Sequence, residues 1–574
     1  MTVYWVVWDA AAHWIVDRLD REGALPAVRR LRAAGVTAAA RPPRPNCQTP
    51  PSLATLFTGS WPRQHAVTGF TVPGGPHDPV DSHRSGFGPG FPARPPVWRR
   101  AQARGLRTAF VHVPWVFDGD GAVGPGVDAA VEAYSNQICG SGILPLADGS
   151  RQDWPAGAEA IGVRATAAGA RLVTSAGTHD LDALRGWVPV RLTGTAGFWA
   201  RHLNLPAGPA VVRTGTWAPR AAGADAQLAL RLAGADVFAG EGLKSLYRSG
   251  CLGQRLVEGG DGSAEEVFVS SLGCVARSFA AVTDVVLAGH RADLVVIYLP
   301  LTDDVGHELA GWCDTVSAAY RPDVAAAVWG HVRRCYARVD AVLGRVLGRA
   351  GQGDTVVLGA DHGIVGSARL VALNQALIEA GLAAPAPGGG LDARQSSVIY
   401  HPANNGVLRV NHDGLPGGVV PRARAGEALR AAMAALAAIA PAPPAGPARP
   451  APSGPVTGFL DAAGRELPPS SVRAADDVAY VVLHDDYQPT AAVDGAPVVR
   501  PMRKSASHVV NTGTDRLHAT FAAAGPGVPA GTDLGVVDNT FGAGLVSRQL
   551  GLAEPDAQPL PCRAGADNRE MTAG

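Results

Sequence analysis

Residues 3–8, Val-Tyr-Trp-Val-Val-Trp, are apolar without alternation, and the run stops on Asp9. An unbroken run of β-branched and aromatic residues predicts a strand buried on both faces. Apolar positions then recur at helical spacing over 13–34 (Trp14, Ile15, Leu19, Leu25, Val28, Leu31), with Gly35 where a helix C-cap is expected. Further buried strands are predicted at 108–113, 292–299, 354–358 and 479–483, with helical stretches between several of them, such as 325–350. Buried strands alternating with helices predict an α/β fold: a mainly parallel central sheet with helices on both faces. In such sheets ligands bind beyond the carboxyl ends of the strands.

Two regions break the rhythm. Residues 118–262 are rich in Gly, Ala and Thr with strand-like pieces such as 209–217, and are expected to form an inserted cap. Residues 441–456 are dominated by Pro and Ala and read as an extended linker after an Ala-rich helix at 423–439. The expected plan is therefore core (1–117), cap (118–262), core (263–440), linker (441–456), core (457–562) and a frayed tail (563–574).

Composition narrows the function classes. The 574 residues carry 50 Lys+Arg against 50 Asp+Glu. A zero balance argues against a partner such as a nucleic-acid polymer or an anionic membrane. With 47% hydrophobic residues the chain has ample core material, and no apolar run is seen that reaches the roughly 18–20 residues of a membrane span. A soluble globular protein is expected. Seven cysteines without CxxC spacing do not read as a disulfide scaffold or a cysteine zinc site. The N-terminus lacks signal-peptide features, so a cytoplasmic location is expected. Nearly all positive charge is Arg; the lysines are Lys244 and Lys504.

Four separated segments carry potential metal ligands: Asp9; the stretch from Asn46 through Thr49-Pro-Pro-Ser to Thr58-Gly59, Pro62 and His65; Asp303-Asp304-Val-Gly-His307; and Asp361-His362-Gly363. Singly, each has a plain explanation. Asp9 could cap a turn, Asp303 and His307 could pair on a helix surface, and Asp-His-Gly could be a turn. Their ordered occurrence at predicted strand ends points instead to metal, because a rigid sheet holds ligands in register. Mixed His and Asp donors favour zinc, or second manganese.

These segments resemble the alkaline phosphatase superfamily, nearest its type I phosphodiesterase/nucleotide pyrophosphatase branch. The resemblance is completed by a late histidine before Ala519-Thr-Phe-Ala-Ala-Ala-Gly-Pro526, best matched by His508, with His518 as competitor. It implies two zinc sites, one of Asp303, His307 and His508 and the other of Asp9, Asp361 and His362. Thr49 between them is implied as metal-bound nucleophile, forming a phosphoryl-enzyme. A free threonine hydroxyl is a poor nucleophile at neutral pH, and metal coordination is one way to activate it.

The nucleophile position separates related enzymes. Sulfatases of the superfamily place Cys or Ser nine residues before the Thr-Gly pair and follow it with x-Pro-Ser-Arg. Here that position is Thr49, Leu53 replaces the Arg, and Cys47 is two residues out of register.

The sequence also departs from the family pattern. Ala10 follows Asp9 where the family usually has Gly. Phe70 stands twenty-one residues after Thr49, where nucleotide pyrophosphatases commonly carry a phosphate-contacting Asn. Candidates for the missing donor are Asn46, Lys504 and Lys244. The expected activity is hydrolysis of a small-molecule phosphoester. The alternatives are a phosphomonoesterase or a phosphonate (phosphonoacetate-like) hydrolase on the same core, and more remotely a non-catalytic metal-binding relative.

Overall fold

The computed structural model describes residues 1–132, 136–146, 151–157, 159–182, 186–238, 240–289, 291–401, 406–441, 454–509 and 513–553. Most of the expected linker (442–453) and the whole tail (563–574) lie outside them.

A nine-stranded sheet forms the centre. Its strands, in chain order, are β1 (Val3–Trp8), β2 (Val36–Arg41), β3 (Thr108–Val111), β4 (Val127–Glu132), β5 (Arg220–Ala222), β6 (Leu294–Leu299), β7 (Thr355–Ala360), β8 (Ala519–Ala524) and β9 (Thr532–Asp538). They lie in the order β5-β4-β3-β6-β1-β7-β8-β2-β9. Only β5 and β8 run against the rest, so the sheet is mainly parallel, as the apolar runs predict. β1, β6 and β7 are buried along their whole length, which is why their sequences show no alternation.

Helices cover this sheet. The helical pattern over 13–34 resolves into α1 (His13–Arg21) and α2 (Pro26–Ala34), with Pro26 opening the second helix, where its missing N–H costs nothing. Gly35 is the C-cap of α2, as expected, its amide donating to the Arg32 carbonyl, and it serves a second purpose. Its φ is −155°, and a Cβ there would lie 1.8 Å from the Ala523 carbonyl oxygen; it lets β8 approach. α3 (Thr49–Thr58) carries the candidate nucleophile at its start. α4 (Lys244–Arg248) is short, and α5 (Ser263–Gly289) packs along α7 (Ala325–Arg349), with the short α6 (Leu301–Val305) between them in sequence.

Two sequence expectations are corrected. By length and composition α5 is apolar enough to cross a membrane, although no such stretch was expected. Its Phe268, Leu272, Phe279 and Val286 are instead buried in the main core. The strand at 479–483 forms (Val478–Leu483) but outside the central sheet. It joins Val398–Tyr400, Val407–Val410 and Val456–Leu460 in a separate antiparallel sheet packed on the helix Ala425–Ala437. A local apolar pattern reports burial, not partner.

β4 and β5 bring the central sheet into the segment 118–262. The antiparallel sheets with their own core occupy the narrower stretch between Gln137 and Trp217. Among the described residues the six cysteines are free thiols.

Candidate active site

Strand register creates the site. Trp8, the last residue of β1, pairs with Leu299 of β6 on one side and Ala360 of β7 on the other. The three strands therefore end together, and Asp9 and Asp361 emerge side by side. The Ala10 amide donates to Asp361 Oδ1 at 3.1 Å, and the Tyr298 hydroxyl donates to Asp9 Oδ2. Ala10 has φ +50°, the left-handed backbone that glycine adopts freely and an L-residue reluctantly. This is where the sequence departs from the Asp-Gly pattern. Beyond β6 the chain turns at once into α6, which carries Asp303. A following π-helical turn, Gly306–Ala310, carries His307.

The implied ligands assemble as two triads. His307 Nε2 and His508 Nε2 lie 3.2 and 3.3 Å from Asp303 Oδ1 and 3.2 Å from each other. His362 Nε2 lies 3.1 Å from Asp361 Oδ2 and 3.5 Å from Asp9 Oδ1. The triads touch, with the His362 and His508 rings stacked at 3.7 Å. His508, not His518, completes the first triad.

Each histidine is oriented from behind. The Nδ1 atoms of His307, His362 and His508 lie 2.9, 2.9 and 3.0 Å from the carbonyl oxygens of Ala506, Gly363 and Cys47. A carbonyl only accepts, so Nδ1 carries the proton, and a neutral ring turns a bare Nε2 lone pair inward. Those lone pairs face Asp9 Oδ1, Asp303 Oδ1 and Asp361 Oδ2, buried oxygens that have no hydrogen-bond partner. Bare nitrogen facing bare carboxylate oxygen is repulsive unless a cation stands between them. The donor set fits a divalent ion at each triad.

Burial, and then the charges of Asp361 and Asp303, push the Asp9 carboxyl well above the usual range. Burial would also raise Asp303, but His307 and His508 together hold it well below. Burial lowers His307 to about 4 and, with the charge of His362, lowers His508. For His362 the lowering by burial is outweighed by Asp361.

Thr49 is the first residue of α3, and its Oγ lies 3.4 Å from His362 Nε2. All ten residues of this helix are buried, and His65 clamps it from the side. His65 Nδ1 accepts from the Val67 amide at 3.1 Å, so the proton sits on Nε2 and is donated to Thr55 Oγ at 3.1 Å. Thr55 in turn donates to the Pro51 carbonyl at 2.8 Å. Pro50 and Pro51 fit the first turn because no intrahelical N–H is needed there.

Two cavities meet at Thr49, of about 510 and 370 Å³, and both are also lined by Phe70, Lys244 and Asp303. Phe70 stands at their mouth, 47% exposed and edge-on to Phe87 at 6.0 Å. Asn46 lines neither cavity; it is buried, and its Nδ2 donates to the Thr68 carbonyl at 3.0 Å. Lys244 pairs with Asp304 at 2.9 Å, and Lys504 lines the smaller cavity.

Sequence reasoning assigned no role to Tyr298, whose hydroxyl fixes Asp9, or to Arg248, which pairs with Glu308 beside His307. It also missed His112 and Trp115 in the wall of the larger cavity, both at positive φ (+56° and +60°). Arg248 follows Lys244 by one helical turn, and that spacing was the available signal.

A type I phosphodiesterase/nucleotide pyrophosphatase family model matches residues 6–443. No curated protein sequence matches the chain. Solved structures similar to it include human ectonucleotide pyrophosphatase/phosphodiesterase 5 (11% identity, TM-score 0.47) and its murine counterpart (12%, 0.45). Each match covers 97% of this chain and 96% of the other. The family match spans most of the chain, including Asp9, Thr49, Asp303, His307, Asp361 and His362. The chain therefore belongs to the type I phosphodiesterase/nucleotide pyrophosphatase family of the alkaline phosphatase superfamily, hydrolases acting on phosphoester bonds.

Proposed function

We propose that this enzyme cleaves a phosphodiester or pyrophosphate bond of a small molecule through a covalent phosphothreonine on Thr49. The observation that carries this reading is the meeting of two triads beside one buried threonine, with three imidazole nitrogens turned inward. Members of the family use two divalent metal ions. Asp303, His307 and His508 would hold one and Asp9, Asp361 and His362 the other, and the mixture of imidazole and carboxylate suits zinc. When bound, such ions neutralise charge on the reacting oxygens and lower the pKa of a coordinated hydroxyl.

The protein's own groups do the rest. α3 presents Thr49 at its N-terminal, partially positive end, which favours an anionic phosphoryl group there. The His65–Thr55–Pro51 relay keeps that end fixed. As the Thr49 Oγ–P bond forms, the bond from phosphorus to the leaving oxygen breaks, and the hydroxyl proton ends on the leaving group. Water then supplies an oxygen to phosphorus and returns one proton to Thr49 Oγ as the Oγ–P bond breaks.

Metal analysis together with hydrolysis of bis-p-nitrophenyl phosphate and p-nitrophenyl phosphate tests the reading. Two bound ions and a preference for the diester support it. A preference for the monoester would make the enzyme a phosphomonoesterase, and metal without turnover of either would leave only a binding protein.

A further inference from the structure

The smaller cavity beside Thr49 is walled by three cations, Lys244, Arg248 and Lys504. Two of them have buried counter-ions. Lys244 and Arg248, one turn apart on α4, pair with Asp304 and Glu308, which follow the candidate ligands Asp303 and His307 by one residue each. Asp304 and Glu308 are each only 1% exposed. Matching four-residue spacings thus dock α4 onto the ligand-bearing helix, and these two charges are accounted for.

Lys504 differs. Among the described residues no carboxylate lies within 4 Å of its ammonium, although it is half-buried. Its backbone is pinned on both sides. The Arg503 carbonyl accepts from Arg255 Nη1 at 2.9 Å, and the Ser505 amide donates to the His307 carbonyl at 2.9 Å. Burial, with the neighbouring Arg248, lowers the Lys504 pKa, and the charges of Asp303 and Glu308 offset this only in part, so the fold holds this charge at a cost. A partly desolvated ammonium on an anchored backbone, facing a cavity and with no carboxylate within 4 Å among the described residues, is suited to receive an anion from outside.

The direction follows from the Thr49 reading, on which this inference rests. Thr49 Oγ sits beside His362, whereas Lys504 shares its cavity with Asp303, His307 and His508. An in-line displacement sends the leaving group away from the attacking oxygen, here toward His307, His508 and Lys504. We propose that Lys504 binds a second anionic group, a carboxylate or phosphate, carried by the leaving group. The preferred substrate is then a phosphodiester or phosphoanhydride whose departing half is itself negatively charged.

Methyl 4-nitrophenyl phosphate and methyl 3-carboxy-4-nitrophenyl phosphate differ only by a carboxylate on the leaving group, and methyl diphosphate offers phosphate in its place. The wild-type enzyme should favour the carboxylated over the plain nitrophenyl ester in kcat/KM by about 10-fold or more, the scale of one charge-assisted hydrogen bond. Lys504→Gln should bring that ratio close to one, and Lys504→Arg should keep most of it. Phosphate release from methyl diphosphate, lost in Lys504→Gln, would identify phosphate as the second anion; discrimination confined to the nitrophenyl pair would identify carboxylate.

Equal rates for all substrates, unchanged in Lys504→Gln, would overturn the anion site while leaving Thr49 chemistry intact. Binding provides a readout independent of turnover. Calorimetry should show 5-hydroxy-2-nitrobenzoate binding the wild-type protein about 10-fold more tightly than 4-nitrophenol, with the difference gone in Lys504→Gln. Equal affinities would also overturn the proposal. Hydrolysis of none of the substrates, with the affinity difference present, would instead fault the Thr49 reading.

Discussion

Replacing Gly311 by alanine adds one methyl group at a position whose backbone, φ −64° and ψ −29°, suits any residue. Space is the difficulty. A Cβ there would lie 1.8 Å from the Ser505 carbonyl oxygen, 2.7 Å from its carbon and 3.1 Å from Gly366 Cα. Ordinary contact requires Ser505 to retreat by roughly 1.5 Å. Ser505 cannot do so alone, because its amide donates to the His307 carbonyl at 2.9 Å and its hydroxyl accepts from the Gly311 amide at 3.1 Å. Its neighbour Ala506 orients His307, and His508 is three residues on. The methyl group therefore pries apart the two segments that supply the first triad. Overpacking of this kind costs about 1–3 kcal/mol, and a misplacement of about 1 Å at a reacting centre costs on the order of 100-fold in rate. The expected result is a lower melting temperature, loss of about one bound metal ion and a kcat/KM on bis-p-nitrophenyl phosphate reduced about 100-fold. Gly330→Ala is the control, since Gly330 lies within α7 with nothing near its Cβ position; helix propensity predicts a gain of about 1 kcal/mol there. A Gly311→Ala enzyme with wild-type metal content and kinetics would refute the reasoning.

Thr49→Ala should lose activity by on the order of 1,000-fold or more while keeping its metal, and Thr49→Ser should retain measurable turnover; near-normal activity in Thr49→Ala would replace the covalent route with direct attack by water. His307→Ala and Asp361→Ala should each lose about one metal ion by elemental analysis, and chelation should lower the melting temperature, because the ligands tie distant parts of the chain together. Burial lowers both His65 and His112 to about 3. Neutral in the fold but titrating near about 6.5 when unfolded, each contributes stability that is complete above about pH 6.5 and is lost toward pH 3, at about 1.4 kcal/mol per pH unit. Urea unfolding between pH 7 and pH 5 should show a shallower dependence in His65→Gln than in the wild type, and equal slopes would contradict the assignment.

The ligands were readable because the strands bearing them are buried on both faces, and such strands appear as continuous apolar runs. Asp9 and Asp361 end two of those runs, and once the strands are parallel neighbours in register the carboxylates must meet. The alanine-rich strands β2 and β8 carry few β-branched residues and gave no such signal, although β8 is an interior strand of the sheet. The strand at Val478–Leu483 was visible as an element, but its membership of a second sheet was not.

Sequence alone determined the chemistry available: which donors exist, the order in which they occur, and that buried strands deliver them to one edge. Tertiary structure decided which of them meet. His508 rather than His518 joins Asp303 because the Cys47 carbonyl, two residues before Thr49, accepts its Nδ1 proton. Lys244 and Lys504 looked alike in the sequence, yet one pairs with Asp304 and the other faces the cavity with no carboxylate within 4 Å among the described residues. The physical reason is range. Periodicity and turn chemistry act over a few residues, whereas a counter-ion or a hydrogen-bonded carbonyl from hundreds of residues away acts only once the chain has closed around it.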